Sequence, residues 1–456
     1  MTTTVTGYRP AGLRARAASP GTGALAPSSN EVRSARWVAG LFVLVVLLQR
    51  FGIPGVPNLG VLTGVIVVWV AVAGLRGVVS FDRSRLIWWL AAMGITGAFM
   101  FVQHLLVAQA DISVQAWALV LVVWLPFTAR LVHRGPAAYL QMLRYSCTVS
   151  TVLALATIAM VGSQLLGVRY VDWFARIVPA AFQLEGFNTV TPIIYGSPIS
   201  KGNAWIGIEP SVTSALIGLG LLAGLLCGVR VWQVVVLIVG LVATVSGSGI
   251  VIAIVGVVVM LLSRSRRMLS RYWFLAVLTV VTMTFTQLGS LLLSRSTELR
   301  SDNSSASLRA IQPYEYLWPR WISDPFGVVL GYGPGSAQKA VTDSNILGLL
   351  VPSPIKVFFE YGLLAGIVLA AFLLLCYWGG PSRAMSLALL LSLWLLQPGV
   401  TTAVFVAPVL IFVTLWSPRS GPVIENLVPL QDRPSPGSNL AVIRTPEPVD
   451  DGPEIS

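Results

Sequence analysis

Leu299-Arg300-Ser301-Asp302-Asn303-Ser304-Ser305-Ala306-Ser307-Leu308-Arg309 lies in a polar stretch, from about residue 293 to 366, that a bundle of apolar helices alone does not explain. The stretch continues through Trp318-Pro319-Arg320-Trp321 and the glycine cluster Gly331-Tyr332-Gly333-Pro334-Gly335. It then turns apolar in Pro354-Ile355-Lys356-Val357-Phe358-Phe359-Glu360-Tyr361-Gly362 and runs into a long hydrophobic segment. A polar loop of roughly 55 residues without secondary structure of its own is uncommon as a connector and is more often functional. It reads as the active face.

The rest of the chain sets that loop in a membrane. Hydrophobic residues make up 55% of the sequence and charged residues 11%, with a mean hydropathy of +0.79. This excludes a soluble globular protein and points to an all-α, polytopic transmembrane helix bundle. The net charge of +12 is almost wholly arginine, since only Lys201, Lys339 and Lys356 are lysines. Arginines collect on the cytoplasmic loops of membrane proteins, so the charge does not imply a nucleic-acid partner. Cys147, Cys227 and Cys376 fall in apolar runs and suggest no disulfide framework. His104 and His133 are the only histidines, and neither sits in a metal-ligand cluster or a serine triad. No metal or other cofactor is expected.

A spanning helix takes about 20 mostly apolar residues, and counting such runs gives about twelve. They lie at 37–51, 59–75, 86–107, 112–127, 146–166, 211–228, 231–245, 250–262, 272–293, 361–378, 385–397 and 402–416. Residues 1–35 and 417–456 lack apolar periodicity and read as disordered tails, which leaves 36–416 as the membrane domain. No signal peptide is visible. Alternate short loops carry Arg76, Arg83 and Arg85; Arg130, Arg134 and Arg144; Arg230; Arg264, Arg266, Arg267 and Arg271; and Arg383. The opposite short loops carry little beyond Arg50. The positive-inside rule makes the arginine-rich set cytoplasmic, along with both termini, in a multi-pass protein of the cell membrane. Two long loops, about 168–210 and 294–360, are then external, and Ser301 and Asn203 with them. No internal repeat shows in the two halves.

Several constellations carry chemistry, and each has a plainer reading. Arg300 and Arg309 suit a pyrophosphate, because the guanidinium fork matches phosphate oxygens and stays charged; an ion pair with Asp302 or solvated loop charge is the alternative. Gly331, Gly333 and Gly335 permit close approach of the backbone to a ligand, or simply form a tight turn. No Gly-Lys-Ser/Thr follows them, so they are not a Walker loop. In Glu209-Pro210-Ser211, Pro210 fits the first turn of a helix and Glu209 its positive end. Glu209 also stands at the external membrane boundary, where a base for a sugar hydroxyl would be useful. Lys356 and Glu360 are either an i,i+4 ion pair or a substrate contact facing a cavity. Pro352 and Pro354 suggest a segment that breaks before the true helix begins near Tyr361. Thr244-Val245-Ser246-Gly247-Ser248-Gly249 reads as a small-residue turn that lets helices approach. Tyr332 and Trp321 could stack on sugar rings or sit at the lipid interface.

With these residues in view, the chain resembles the O-antigen polymerase and ligase family of integral-membrane glycosyltransferases. The likeness covers roughly residues 182–372. It rests on the passage from Gly186-Phe187 to Glu209-Pro210-Ser211, the Thr244 to Gly249 turn, Ser307-Leu308-Arg309, Gly331 to Gly335, and Lys356 to Gly362 with Leu363-Leu364-Ala365-Gly366. The resemblance implies transfer of a polyprenyl-pyrophosphate-linked oligosaccharide on the outer face, without metal or nucleotide. In that reading Arg300 and Arg309 hold the pyrophosphate and Glu209 orients or deprotonates the acceptor. Lys356 and Glu360, Tyr332, Trp321 and the three glycines would line the substrate site. The partners implied are the lipid-linked glycan, membrane lipid, a chain-length regulator and a flippase, with capsule or exopolysaccharide as the product class. The family's ligases carry a histidine in the external loop and this chain has none there, which favours the polymerase branch. Ligase-type transfer to another acceptor, or a flippase or transporter, are the alternatives.

Overall fold

Helices dominate the described residues, 27–107, 110–193, 197–263, 265–275, 277–278, 307–343, 349–419 and 423–426, of the computed structural model. All lie in one unit, Pro27–Pro429. The first part of the chain forms α1 (Ser29–Leu48), the hairpin of β1 (Gly52–Ile53) and β2 (Val56–Gly60), α2 (Val61–Leu75), β3 (Val79–Phe81), α3 (Arg83–Leu106), α4 (Val114–Trp124), β4 (Ala129–Leu131) and α5 (Pro136–Leu165). A loop carrying α6 (Trp173–Ile177) leads to α7 (Pro210–Cys227), α8 (Val231–Ala243), α9 (Gly247–Leu262) and α10 (Arg266–Leu269). Then come α11 (Ser307–Ala310), α12 (Gln312–Ile322), α13 (Pro325–Leu330), α14 (Ser336–Asp343), α15 (Ser353–Tyr377), α16 (Arg383–Leu389) and α17 (Ala403–Phe412).

Among the described residues, 4 helices (α3, α5, α7 and α15) are long and apolar enough to cross a membrane. Other apolar helices run only 10–17 residues. The chain is therefore largely helical with several long apolar helices, as a multi-span membrane protein requires, but about twelve full-length crossings is an overcount. Several apolar runs end in tighter or wider turns, such as the 3-10 segments Leu125–Thr128 and Thr414–Trp416 and the π segment Leu390–Trp394. Most of the run at 272–293, namely 276 and 279–293, lies outside the described residues. Residues 29–35, expected to be disordered, are the start of α1. Ser28 Oγ accepts from the Glu31 N–H at 3.3 Å, and the Glu31 carboxylate accepts from the Ser28 N–H at 2.8 Å, a reciprocal cap. Far from lacking structure, residues 307–343 are mostly helix.

A helix apolar on every face belongs in the centre of a bundle. α7 is that helix: 94% of its apolar window is buried, against α5, α8 and α9. It meets α9 so closely that a Cβ on Gly218 would fall on the backbone of Gly249. Ser214 Oγ ties the crossing, donating to Ser246 O at 3.0 Å and accepting from the Gly249 N–H at 3.1 Å. The turn at 244–249 thus brings the helices together as its small residues suggest.

α15 starts at Ser353, and the break anticipated before Tyr361 falls at Gly362. There φ is 63° and ψ −172°, a combination essentially reserved for glycine. Breaking the helix strips the Phe359 and Glu360 carbonyls of their intrahelical donors. The Tyr332 and Gly333 N–H groups supply replacements, both at 2.9 Å. Gln103 of α3 adds a third bond, donating through Nε2 to Glu360 O at 2.9 Å and to Leu330 O at 2.5 Å. The far edge of the glycine segment is paired too: Asp111 and Ser113 donate to Tyr332 O and Pro334 O, each at 2.9 Å. Gly331 and Gly362 cross so tightly that a Cβ on either would strike the other's backbone nitrogen.

Hydrogen bonds sort the loops to two ends. At one end the arginine-rich turns join. Strands β3 and β4 pair, Arg130 bridges to Asp82 at 3.0 Å, and Arg85 donates to Thr414 O at 2.7 Å. The segment at 423–426 docks there as well: Glu425 Oε1 accepts from Ser382 Oγ at 2.6 Å and from the Ala384 N–H at 2.8 Å. These residues of the expected C-terminal tail are thus part of the bundle. At the other end lies the loop between α5 and α7. Arg50 is 5% exposed and grips Asp172 through both oxygens, at 2.9 and 2.7 Å. Its remaining demands are met by Trp205 O at 2.9 Å and the Phe174 ring at 4.3 Å. Burial pushes the Asp172 carboxyl up, but the Arg50 guanidinium and the Ala175 N–H outweigh it and hold the group below the ordinary carboxylate range.

Two stability predictions follow from these contacts. Gly362→Ala adds backbone strain of about 1–3 kcal/mol and a collision with the Val329–Gly331 backbone. Its thermal midpoint in detergent is expected to fall well below wild type. Gly94→Ala, in open space on α3, is expected to match or exceed wild type. Asp172→Asn leaves Arg50 buried without its counter-charge and is expected to cost about 1.5–3 kcal/mol at neutral pH. Because the native carboxyl is held low, its contribution is present above the unfolded value near 3.9 and is lost as pH falls through the native value. The gap between wild-type and Asp172→Asn midpoints should therefore close on acidification.

Candidate functional site

Arg309 and Glu209, 100 residues apart in sequence, meet at the end opposite the arginine-rich turns. Arg309 Nη2 lies 3.0 Å from Glu209 Oε2, with the two side chains 17% and 6% exposed. Glu209 is the N-cap residue of α7 and Pro210 takes the first helical position, as expected. Its side chain does not cap the helix, however. Oε2 also accepts from Ser211 Oγ at 2.8 Å, and Oε1 accepts from the Asn188 N–H at 3.2 Å. The carboxylate is thus shared between a side chain of its own first turn, the loop and α11.

Arg309 reaches a second acceptor. Its Nη1 lies 3.5 Å from Gln397 Oε1, and Gln397 Nε2 donates to Ser248 Oγ at 3.3 Å. The Gln397 carbonyl accepts from Ser353, from N–H at 3.3 Å and from Oγ at 3.1 Å. Ser353 Oγ in turn accepts from the Gly399 N–H at 3.0 Å. Glu209, Arg309, Gln397, Ser248 and Ser353 therefore form one polar network drawn from the starts of α7, α9 and α15, from α11 and from the chain after α16. Gln397, Ser248 and Ser353 are the members that sequence reasoning missed as site residues. The available signal was a glutamine ending an apolar run, an expensive place for an amide without a partner.

The other residues singled out in the sequence are distributed as follows. Lys356 Nζ and Glu360 Oε1 are 2.7 Å apart, 8% and 1% exposed, so the i,i+4 pair is formed and buried. Lys356 follows Ser353 by three positions and lies on the same face of α15, one turn along from the network. Gly331, Gly333 and Gly335 all have positive φ. The space a side chain would need is taken by Gly362, by Asp111 and Ile112, and by Ser113 respectively, so the close approach is of chain to chain. Trp321 is 5% and Tyr332 2% exposed. The Trp321 ring lies near Phe358 and its Nε1 donates to Gly327 O at 3.0 Å. Tyr332 packs on Phe359 and donates to Arg320 O at 3.0 Å. Both rings pack against protein here, while Trp318 at 47% and Phe326 at 59% are exposed aromatics of that segment. Arg300 and Ser301 lie outside the described residues. Asn203, expected to be accessible, is fully buried, donating to Thr189 O at 3.0 Å and accepting from the Trp205 N–H at 3.0 Å.

Chemically the network offers a guanidinium with partial exposure, a carboxylate with fixed donors, and an amide and two hydroxyls beside them. Among the described residues no cluster of histidine, cysteine or acidic side chains could hold a metal ion. No protein-family model, no characterised protein and no solved structure matches the chain.

Proposed function

We propose that the chain is a membrane glycosyltransferase that joins polyprenyl-pyrophosphate-linked oligosaccharide units on the external face, in the making of a cell-surface polysaccharide. The observation that carries this reading is the meeting of Arg309 with Glu209 at the end away from the arginine-rich turns. A cation suited to phosphate oxygens thereby stands beside a carboxylate suited to a sugar hydroxyl. An acceptor hydroxyl attacks the anomeric carbon of the donor and the bond to the pyrophosphate oxygen breaks. The electron pair leaves on the polyprenyl pyrophosphate, where Arg309 stabilises the growing charge. The hydroxyl proton passes to Glu209. Arg300 is the second arginine of the scheme. Lys356, paired with Glu360 one helical turn from the network, is a further cationic contact only if a donor anion draws it from that pair.

Sidedness is tested first. In a chain with its three cysteines replaced, Arg169→Cys and Arg33→Cys introduce thiols at exposed positions near opposite ends. An impermeant thiol reagent on whole cells is expected to label the first and to label the second only after lysis. The reverse pattern would put Arg309 on the cytoplasmic side and remove the scheme.

Arg309 itself is tested by glycan chain length against membrane protein level. A charged hydrogen bond that strengthens as the leaving group departs is worth about 1.5–3 kcal/mol, roughly ten- to a hundredfold in rate. Arg309→Ala is expected to abolish polymer while the protein still accumulates. Arg309→Lys keeps the charge but loses the fork and is expected to remain well below wild type. Near-normal polymer from the Ala variant at normal abundance would take Arg309 out of the reaction.

A further inference from the structure

We infer that Glu209 is a tethered competitor for the donor's anion: it occupies Arg309 until a diphosphate displaces it, and only then becomes free to face the acceptor. This rests on the diphosphate reading above and adds an order of events to it.

The two partners of the pair are held very differently. Glu209 sits at the start of a helix buried along nearly its whole length, and two donors independent of Arg309 fix its carboxylate, Ser211 Oγ at 2.8 Å and the Asn188 N–H at 3.2 Å. If Arg309 leaves, Glu209 stays in place and keeps a hydrogen bond on each oxygen. Arg309 rides on the four-residue helix Ser307–Ala310, at the end of a long flexible side chain, and is the more exposed of the two. Among the described residues its guanidinium is engaged at its terminal nitrogens, with one Glu209 oxygen at 3.0 Å and a distant Gln397 oxygen at 3.5 Å. Arg50 shows what a saturated buried arginine looks like in the same protein, with both oxygens of Asp172, a carbonyl and an aromatic face. Arg309 has the weaker set.

Arginine keeps its charge in any environment, so an empty site needs an anion beside it. Glu209 supplies one. A diphosphate carries more negative charge and more acceptor oxygens, matching the fork at two points, but it cannot share the guanidinium with Glu209 without like-charge repulsion. Binding is therefore an exchange, and the affinity for the donor is reduced by the pair that must be broken. The exchange leaves Glu209 Oε2 with an open acceptor position, held by Ser211 and facing the site Arg309 has vacated. That position can take the hydrogen of an acceptor hydroxyl: the hydroxyl oxygen forms its bond to the anomeric carbon, the carbon–oxygen bond to the diphosphate breaks, and the proton moves to the carboxylate. Before the donor arrives the same oxygen is committed to Arg309, so neither water nor acceptor is activated.

The test is donor-analogue binding to the full chain in detergent, with farnesyl diphosphate as the probe and Glu209→Gln as the variant. Gln keeps the size and an acceptor oxygen but loses the charge. Because the competing charged pair is gone, Glu209→Gln is expected to bind the probe about tenfold more tightly than wild type. The gain is expected to vanish in Glu209→Gln/Arg309→Ala, because it is exerted through Arg309. Inorganic pyrophosphate is expected to show the same step at lower affinity, since the exchange concerns the headgroup. A merely structural Glu209 predicts weaker binding on substitution. If wild-type binding needs Arg309 but Glu209→Gln binds equally or more weakly, the exchange is overturned and the diphosphate reading stands. If Arg309→Ala binds the probe as well as wild type, both fall. Should Glu209→Gln not accumulate, Glu209→Asp withdraws the carboxylate by one methylene and is expected to tighten binding in the same direction by a smaller factor; no tightening there overturns the exchange.

Discussion

An apolar medium offers nothing to a bare carbonyl, so every break in a membrane helix must be repaired from within the protein. The break at Gly362 sets that demand, and its repair organises one end of the molecule. The Phe359 and Glu360 carbonyls take the N–H groups of Tyr332 and Gly333, and Gln103 closes the crossing from α3. The segment at 331–335 then hydrogen-bonds along its other edge to 111–113. Once it is pinned there, the amphipathic α12 lays Leu317 and Trp321 against the bundle and leaves Trp318 and Ile322 open. A helix break of a single residue thus fixes where the polar stretch rests, and with it the approach of α11 to the start of α7.

The same economy governs the buried charges. Among the described residues, four of the ion pairs involve at least one partner largely removed from solvent: Arg50 with Asp172, Arg130 with Asp82, Arg309 with Glu209, and Lys356 with Glu360. They differ in completeness. Arg50 and Asp172 satisfy one another twice and share further partners, the pattern of a pair whose work is to hold the loop between α5 and α7 onto α1. Lys356 and Glu360 are the most enclosed, on one face of one helix, and their geometry changes little unless α15 itself moves. The Arg309–Glu209 pair joins elements 100 residues apart through a single carboxylate oxygen and leaves part of the cation exposed, as the Arg130–Asp82 pair does at the arginine-rich end. Incomplete pairing leaves the Arg309 guanidinium, which cannot lose its charge, with capacity for a further anion.

Much of this was legible in the sequence because periodicity and small-residue signals are local. The apolar runs within the described residues became helices, Pro210 opened α7, the turn at 244–249 packed two helices, and Lys356 met Glu360. What was illegible depended on tertiary partners. Nothing local shows that Gly331 needs its conformation to pass Gly362, or that Tyr332 and Trp321 have neighbours that cover their rings. Asn203 reads as a loop amide, yet its side chain is consumed by the backbone of its own loop. Run length also misled: apolar content continues through the 3-10 and π turns that end α4, α16 and α17, so composition alone overstates the number of full crossings. Gln397 gave a weak hint, but its partners come from residues 248, 309 and 353, which no spacing rule connects.

The placement of Glu209 at the head of α7 carries a final consequence. α7 is buried along nearly its whole length, so its start is firmly held, and Ser211 and Asn188 hold the carboxylate without help from Arg309. Arg309 comes from a short helix that reaches the bundle through the polar stretch, with Leu308 O accepting from the Leu350 N–H at 3.3 Å. A site built from one fixed carboxylate and one cation on a separate element can change the distance between them without disturbing the core. That freedom is useful only if the cation has something else to hold. The separation of the two groups onto a well-held and a separate element is therefore what the proposed exchange at Arg309 would require: the core would set where the acceptor's proton goes, and the polar stretch when.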